Sequence, residues 1–264
     1  MEHTVALVTG GSSGIGFCTA RALVRAGCTV YTFSRRQVGQ EGVIPLCVDV
    51  TEEAGVQAAV DLIMERCGRI DIEVHAAGFG ISGAVEFTKP EMAKRQFDVN
   101  FFGMVNVNKA VLPIMRRQGR GRIVNISSVA AVAHIPFQTY YSAAKAAMEA
   151  YTCALYNEVR PYGISVTAVQ PGDIATGFTD ARAKSSLGDD AYGGRITRSV
   201  SGMEKDERKG MDPQKAGDCI AKIALRKRVK PVYTIGFGYK TLSVLCKILP
   251  CRLRNYIVYL LYAK

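Results

Sequence analysis

Histidine occurs only three times in this chain of 264 residues, without metal-ligand spacing, and none of its eight cysteines stands in a Cys-x-x-Cys pair. Neither a zinc site nor a disulfide framework is indicated. In a reducing compartment such scattered cysteines read as small buried hydrophobes. The start, Met1-Glu2-His3-Thr4, has no basic n-region and no apolar h-region, so no secretory leader is expected and a cytoplasmic location is the default. No repeat, low-complexity tract or Pro/Ser-rich linker divides the chain. One α/β domain is expected, and 48% hydrophobic with 22% charged residues is ordinary for a chain that buries a substantial core.

Charge is unbalanced, with 34 Lys and Arg against 23 Asp and Glu, a net +11. The densest basic cluster, Arg116-Arg117-Gln118-Gly119-Arg120-Gly121-Arg122, lacks interleaved aromatics and falls where a helical pattern gives way to a strand. It reads as a solvated connection, and no nucleic-acid partner is expected. The excess charge suits a phosphorylated cofactor or an acidic substrate.

Apolar, β-branched runs recur at 4–9, 28–34, 43–48, 70–75, 122–127, 164–170 and 231–235, with helical patterns between them. Seven such runs predict a doubly wound parallel α/β sheet. Thr51 before Glu52 and Glu53 is an expected N-cap, and Asp212-Pro213 another, with proline at the first helical position. From about 173 to 212 the rhythm breaks into a Gly-, Ser-, Asp-, Lys- and Arg-rich stretch with little apolar periodicity. It is read as a substrate lid, with disorder as the alternative. Residues 239–264 form an amphipathic helical extension broken at Pro250, far short of the roughly 20 apolar residues that span a bilayer. Packing on the body is preferred there, and peripheral membrane contact is the alternative.

The first apolar run leads into Thr9-Gly10-Gly11-Ser12-Ser13-Gly14-Ile15-Gly16 and then a helical pattern, the context in which a glycine-rich turn binds a dinucleotide. Gly10 is needed for backbone freedom, Gly14 lets main chain approach a pyrophosphate, and Gly16 allows close helix–strand packing. Gly10, Ser12 and Gly14 also spell the nucleophile elbow of a hydrolase, but Ser12 follows the first strand and His134 is the last histidine, so the order of parts fails. Where a carboxylate would grip the 2′-hydroxyl of NAD, the second strand ends in Ser34-Arg35-Arg36. Two guanidiniums and a hydroxyl suit a 2′-phosphate, so NADP(H) is expected.

Tyr141 and Lys145 lie one helical turn apart on one face, and Ser128 ends an apolar run thirteen residues before the tyrosine. Together with the glycine turn this resembles the short-chain dehydrogenase/reductase family, over Thr9 through Pro171-Gly172. The resemblance implies a Rossmann fold and a catalytic tetrad of Asn100, Ser128, Tyr141 and Lys145. It implies cofactor contacts from the glycine turn, Ser34, Arg35, Arg36, Asp49-Val50 beside adenine, Ala77-Gly78, Pro171-Gly172, Ile174, and Thr176 at the carboxamide. It further implies that Tyr141 exchanges a proton with a substrate oxygen that Ser128 bonds, that Lys145 favours the phenolate and holds the ribose, and that Asn100 anchors a water. A dimer or tetramer through the helices around 91–118 and 141–160 is also implied. His75-Ala76-Ala77-Gly78 departs from the family's Asn-Asn-Ala-Gly, which puts local sheet packing in doubt.

The stretch Ser128 to Phe137 with its Pro136-Phe137 pair, Asp98-Val99-Asn100 and Phe178 resemble the 17β-hydroxysteroid and retinol dehydrogenase branch. A small apolar carbonyl or alcohol is therefore expected as substrate, a hydroxysteroid or bile acid first. The alternatives are a retinoid or fatty aldehyde, a 3-oxoacyl thioester, or a catalytically retired NADP-binding sensor or scaffold.

Overall fold

The computed structural model describes residues 4–264. The start Met1-Glu2-His3, read above as free of a secretory leader, lies outside the described residues. Among the described residues nine strands occur in chain order, β1 (Val5–Thr9), β2 (Thr29–Ser34), β3 (Val43–Cys47), β4 (Ile72–His75), β5 (Ile81–Ser82), β6 (Gly121–Ile126), β7 (Ile164–Pro171), β8 (Ala183–Lys184) and β9 (Val232–Ile235). Seven of them form one parallel sheet in the order β3-β2-β1-β4-β6-β7-β9, and β5 pairs with β8 in a small ribbon. The seven apolar runs of the sequence are these seven strands, within two residues at each end.

The helices are α1 (Gly14–Arg25), α2 (Glu53–Cys67), α3 (Pro90–Phe97), α4 (Gly103–Gln118), α5 (Thr139–Val159), α6 (Phe178–Ala181), α7 (Arg195–Arg208), α8 (Pro213–Ala224), α9 (Phe237–Ile248) and α10 (Cys251–Tyr262). Strand alternation sends Leu7, Phe33 and Ile123 to a core shared with α2, α4 and α5, and Val8, Val30 and Val124 to one shared with α1 and α8. The sheet is thus buried on both faces. Its order reverses beside β1, and the crevice at the carboxyl ends of β1 and β4 is where such sheets bind ligands.

Asp212 caps α8, its carboxylate accepting from the Lys215 amide at 3.0 Å, with Pro213 at the first position. Thr51 is no cap. Its hydroxyl turns back to donate to Asp49 Oδ1 at 2.8 Å, and Glu52 occupies the cap position of α2 without a side-chain bond. The basic cluster is only partly a solvated connection, because Arg122 lies within β6 and its buried guanidinium donates to the Arg226 carbonyl at 2.5 Å. Nor are the cysteines uniformly buried, since Cys47 and Cys251 are exposed.

The doubt over β4 resolves at Thr9. Its hydroxyl sits 3.1 Å from His75 Nδ1 and accepts from the amides of Ala76 and Ala77 at 3.1 and 3.0 Å, so one side chain ties β4 to β1 without the asparagines. The segment 173–212 is not structureless. It contains α6, β8 and the fourteen-residue α7, whose Ile196, Val200 and Met203 are buried at i, i+4, i+7 spacing against Ala84, Phe87, Ile135 and Phe137. Three apolar positions in a helix otherwise rich in Arg, Ser, Glu and Lys were too few to read from the sequence.

Candidate active site

A cavity of about 580 Å³ opens at the carboxyl end of the sheet. Of the residues expected to act or to hold a cofactor, Gly10, Ser12, Ser13, Gly14, Ile15, Gly16, Ser34, Arg35, Arg36, Asp49, Val50, Ala77, Gly78, Asn100, Ser128, Tyr141, Lys145, Pro171, Gly172, Ile174 and Thr176 line it, and Gly11 of the turn does not.

The glycine turn has the shape a pyrophosphate requires. Gly10 holds φ at +69° and Gly14 at +57°. A Cβ on Gly14 would meet nothing in the protein nearer than Thr176 at 3.7 Å, so the ground before it is cavity. A Cβ on Gly16 would stand 2.5 Å from the Gly10 carbonyl, which fixes how closely α1 packs on the turn. Ser13 precedes α1 without capping it, and the helix's first amides face the cavity, the positive end of the helix dipole included. At the end of β2, Arg35 and Arg36 are exposed at the rim, while the Ser34 hydroxyl donates to the Arg36 carbonyl at 2.6 Å. Asp49 resists burial because Thr51 bonds it and Arg35 stands near, and its carboxyl stays below the usual range.

Asn100 lies in a π-helical turn, Asp98–Phe102, between α3 and α4. Both ends of its amide are spent on Phe79, accepting from the backbone N–H at 3.0 Å and donating to the carbonyl at 2.9 Å. Asn100 thereby pins the chain leaving β4. Ser128 follows β6 and its hydroxyl accepts from the Ala130 amide at 3.1 Å. Tyr141 and Lys145 are one turn apart on α5, the ammonium 5.8 Å from the centre of the phenol ring. Lys145 Nζ donates to the Ile126 carbonyl at 2.7 Å, and Ser127 Oγ donates to the Lys145 carbonyl at 3.0 Å, so strand and helix are locked at this point.

Burial dominates the protonation balance of Tyr141 and Lys145. Burial pushes Tyr141 up to about 12, with the Ser128 hydrogen bond and the Arg182 charge pulling back. Burial likewise brings Lys145 down to about 7. In this arrangement Lys145 Nζ points at a backbone carbonyl, and the phenol is held neutral.

The wall facing Tyr141 is where the sequence said least. Phe178 on α6 tilts against the Tyr141 ring at 5.7 Å, and Arg182 lies 5.6 Å over Phe178. Arg182 is buried and paired with Glu207 of α7, which also accepts from Thr179 at 2.7 Å. Asp173 accepts from the Tyr239 hydroxyl, and its carboxyl is raised by burial and by Glu207 and Asp206. Met203, Asp206, Glu207 and Tyr262 complete the lining. A Cβ on Gly172 would collide with the Tyr239 ring, so this glycine seats the start of α9. Only a charged pair inside an otherwise solvent-rich stretch, Arg182 and Glu207, could have signalled this wall.

A family model described as short chain dehydrogenase matches residues 4–186. The chain belongs to the short-chain dehydrogenase family. It is an oxidoreductase of that family, whose members bind nicotinamide cofactors. A 3-ketodihydrosphingosine reductase of Bacteroides thetaiotaomicron is 46% identical over 230 residues, 86% of each chain. A probable short-chain type dehydrogenase/reductase, VdlC, of Helicobacter pylori is 30% identical over 256 residues, 93% of each chain. Among solved structures, a short-chain dehydrogenase from Streptomyces avermitilis superposes with a TM-score of 0.85 at 29% identity, covering 98% of this chain and 95% of that one. No relative among these carries the hydroxysteroid or retinol name expected from Pro136-Phe137.

Proposed function

We propose that this short-chain dehydrogenase uses NADPH to reduce the ketone of a long-chain, apolar substrate that carries an amine close to the carbonyl. One observation supports this above others. The cavity that holds the glycine turn and the Tyr141–Lys145 pair continues, past Phe178, into a wall with apolar residues and three carboxylates, Asp173, Asp206 and Glu207, against a single buried guanidinium, Arg182. That wall carries net negative charge, which suits an ammonium and leaves room for an alkyl chain. The 3-ketodihydrosphingosine reductase at 46% identity supports the same substrate class.

A bound nicotinamide dinucleotide supplies the hydride. The protein's own groups do the rest. Neutral Tyr141 gives its proton to the oxygen as charge develops there, and the Ser128 hydroxyl donates a hydrogen bond to that oxygen. Lys145, near its titration point at neutral pH, replaces the lost proton or binds a ribose hydroxyl. Asn100 keeps Phe79, and with it Gly78, in register at the cavity floor. Arg35 and Arg36, exposed where they line the cavity, would hold a 2′-phosphate, and β2 carries no carboxylate to repel it.

The test is an NADPH-linked screen over 3-ketodihydrosphingosine, its N-acylated form, ketosteroids, bile acids, retinal and 3-oxoacyl thioesters, repeated with NADH. The free long-chain aminoketone should give the largest kcat/KM, with N-acylation costing about tenfold. A ketosteroid turned over faster restores the hydroxysteroid reading, and no turnover of any carbonyl leaves the sensor reading. Arg35→Asp should shift the preference towards NADH, and a parent enzyme that already prefers NADH sinks the NADP(H) assignment.

A further inference from the structure

We propose that α9 and α10 form a docking surface for an anionic lipid bilayer, so that the protein works at a membrane face. After Asp218 the chain contains no acidic residue at all, while Lys240, Lys247, Arg252, Arg254 and Lys264 fall on these two helices or just beyond. The same stretch holds most of the large apolar side chains that the described residues leave in solvent. Phe237 is 92% exposed, Ile248 70% and Leu261 66%.

The exposed residues are ordered. On α9, Phe237, Thr241, Val244 and Ile248 follow i, i+4, i+7, i+11 spacing, which places them in one stripe, and Lys240 and Lys247 border it on one side. The opposite face of α9 is engaged with the body through Ser243, which donates to Gln170 Oε1 at 3.1 Å, and through buried Cys246. On α10, Leu253, Tyr256, Ile257 and Leu260 are exposed beside Arg252, while Val258 is buried and Tyr262 packs against the α7 cluster. Tyr256 and Tyr259 stack at 6.4 Å in the exposed part, the amphipathic kind of ring that settles at headgroup level. Among the described residues no helix is long and apolar enough to cross a membrane, so the surface proposed lies in the bilayer interface and does not span it.

Charge decides between the occupants of such a face. A second copy packed on it by two-fold symmetry would bring the same basic patch together twice, with no carboxylate in either helix to answer Lys240 and Lys247. An anionic headgroup layer answers the exposed Lys240, Lys247 and Arg252 and takes the apolar stripe below it, each Lys or Arg near such a surface strengthening binding about fivefold. Tyr262 of α10 lines the cavity and Tyr239 of α9 donates to Asp173 in its wall, so docking places the pocket wall next to the lipid.

The test is flotation of the full chain with phosphatidylcholine vesicles, with and without phosphatidylglycerol, at low and high salt. Two variants accompany it: Phe237→Ser, Ile248→Ser and Leu261→Ser combined, and Lys240→Gln, Lys247→Gln and Arg252→Gln combined. Each should keep the thermal midpoint of the parent, because the side chains are exposed. Binding to the phosphatidylglycerol vesicles, weakened on the order of tenfold or more by either variant and by salt, supports the proposal. Absence of binding to any vesicle, or equal binding with and without phosphatidylglycerol, overturns it. So does a parent chain that self-associates in sedimentation velocity while the serine variant is monomeric and vesicles recruit neither. None of these readouts depends on the substrate or on turnover.

Discussion

Between Thr9 and Gly16, eight consecutive residues supply a strand end, a turn with two left-handed glycines and a helix start, and so build one end of the cavity. The wall opposite Tyr141 is assembled from Phe178, Arg182, Glu207 and Tyr262, residues of α6, the connection after it, α7 and α10. The first region is fixed by backbone sterics, which act locally and leave a pattern in the sequence. The second is fixed by one buried ion pair, a ring contact and a small satellite core, none of which has a spacing rule. The two sides of the cavity are thus held by different and separable interactions.

The separation can be broken at its hinge. Tyr141 serves both regions, and Tyr141→Phe should lower kcat/KM by about a thousandfold or more while NADPH affinity, read by fluorescence titration, changes less than about twofold. A variant that keeps substantial turnover removes Tyr141 from the chemistry. In the substrate region, Glu207→Ala leaves the Arg182 guanidinium buried without its partner. A loss of about 3 kcal/mol in denaturant unfolding is expected, with a raised KM for substrate and unchanged NADPH affinity. Equal damage to cofactor binding would show that the two regions are not independent.

In the cofactor region, Gly10→Ala forces a side chain onto φ of +69° and places its Cβ 2.9 Å from the Ala76 and Ala77 backbone. A loss of about 2 kcal/mol and weaker NADPH binding are expected. Gly27→Ala, at φ of +84° with nothing within 4 Å, is the control and should cost about 1 kcal/mol without touching the cofactor. If both variants behave alike, the close approach at Gly10 has no energetic weight.

A graded effect concerns pH. Burial, with the Lys145 charge nearby, brings His75 down to about 3, and its Nε2 has no hydrogen-bond partner. Below its ordinary value near 6.5 the unfolded chain takes up a proton that the native chain refuses, so stability falls on acidification between those two values, by about 1.4 kcal/mol per pH unit. Buried Glu73, whose carboxyl is raised well above its ordinary value, acts with the opposite sign, since the native chain keeps a proton there that the unfolded chain releases as pH rises. His75→Asn leaves the Glu73 contribution in place, so the difference between parent and variant isolates the histidine. Unfolding free energies measured from about pH 7 to about pH 4 should converge or cross as pH falls, and a constant difference would mean that His75 ionises in the native state.

The seven strands, the turn at Gly10 and the Tyr141–Lys145 pair were legible because each is a repeat or a spacing imposed by local geometry: alternation in a buried sheet, positive φ, one turn of helix. The bond that ties β4 to β1 was not, because Thr9 replaces the asparagines from 66 residues away. Thr51 as a cap failed for the related reason that Asp49 competes for its hydroxyl. Composition and order along the chain determined the architecture, the kind of cofactor groove and which side chains could move a proton. Tertiary structure alone decided that burial holds Tyr141 neutral, that Arg182 and Glu207 close the opposite wall, and that α9 and α10 turn their apolar stripes outward, because burial, pairing and exposure are properties of neighbours that the chain brings together only on folding.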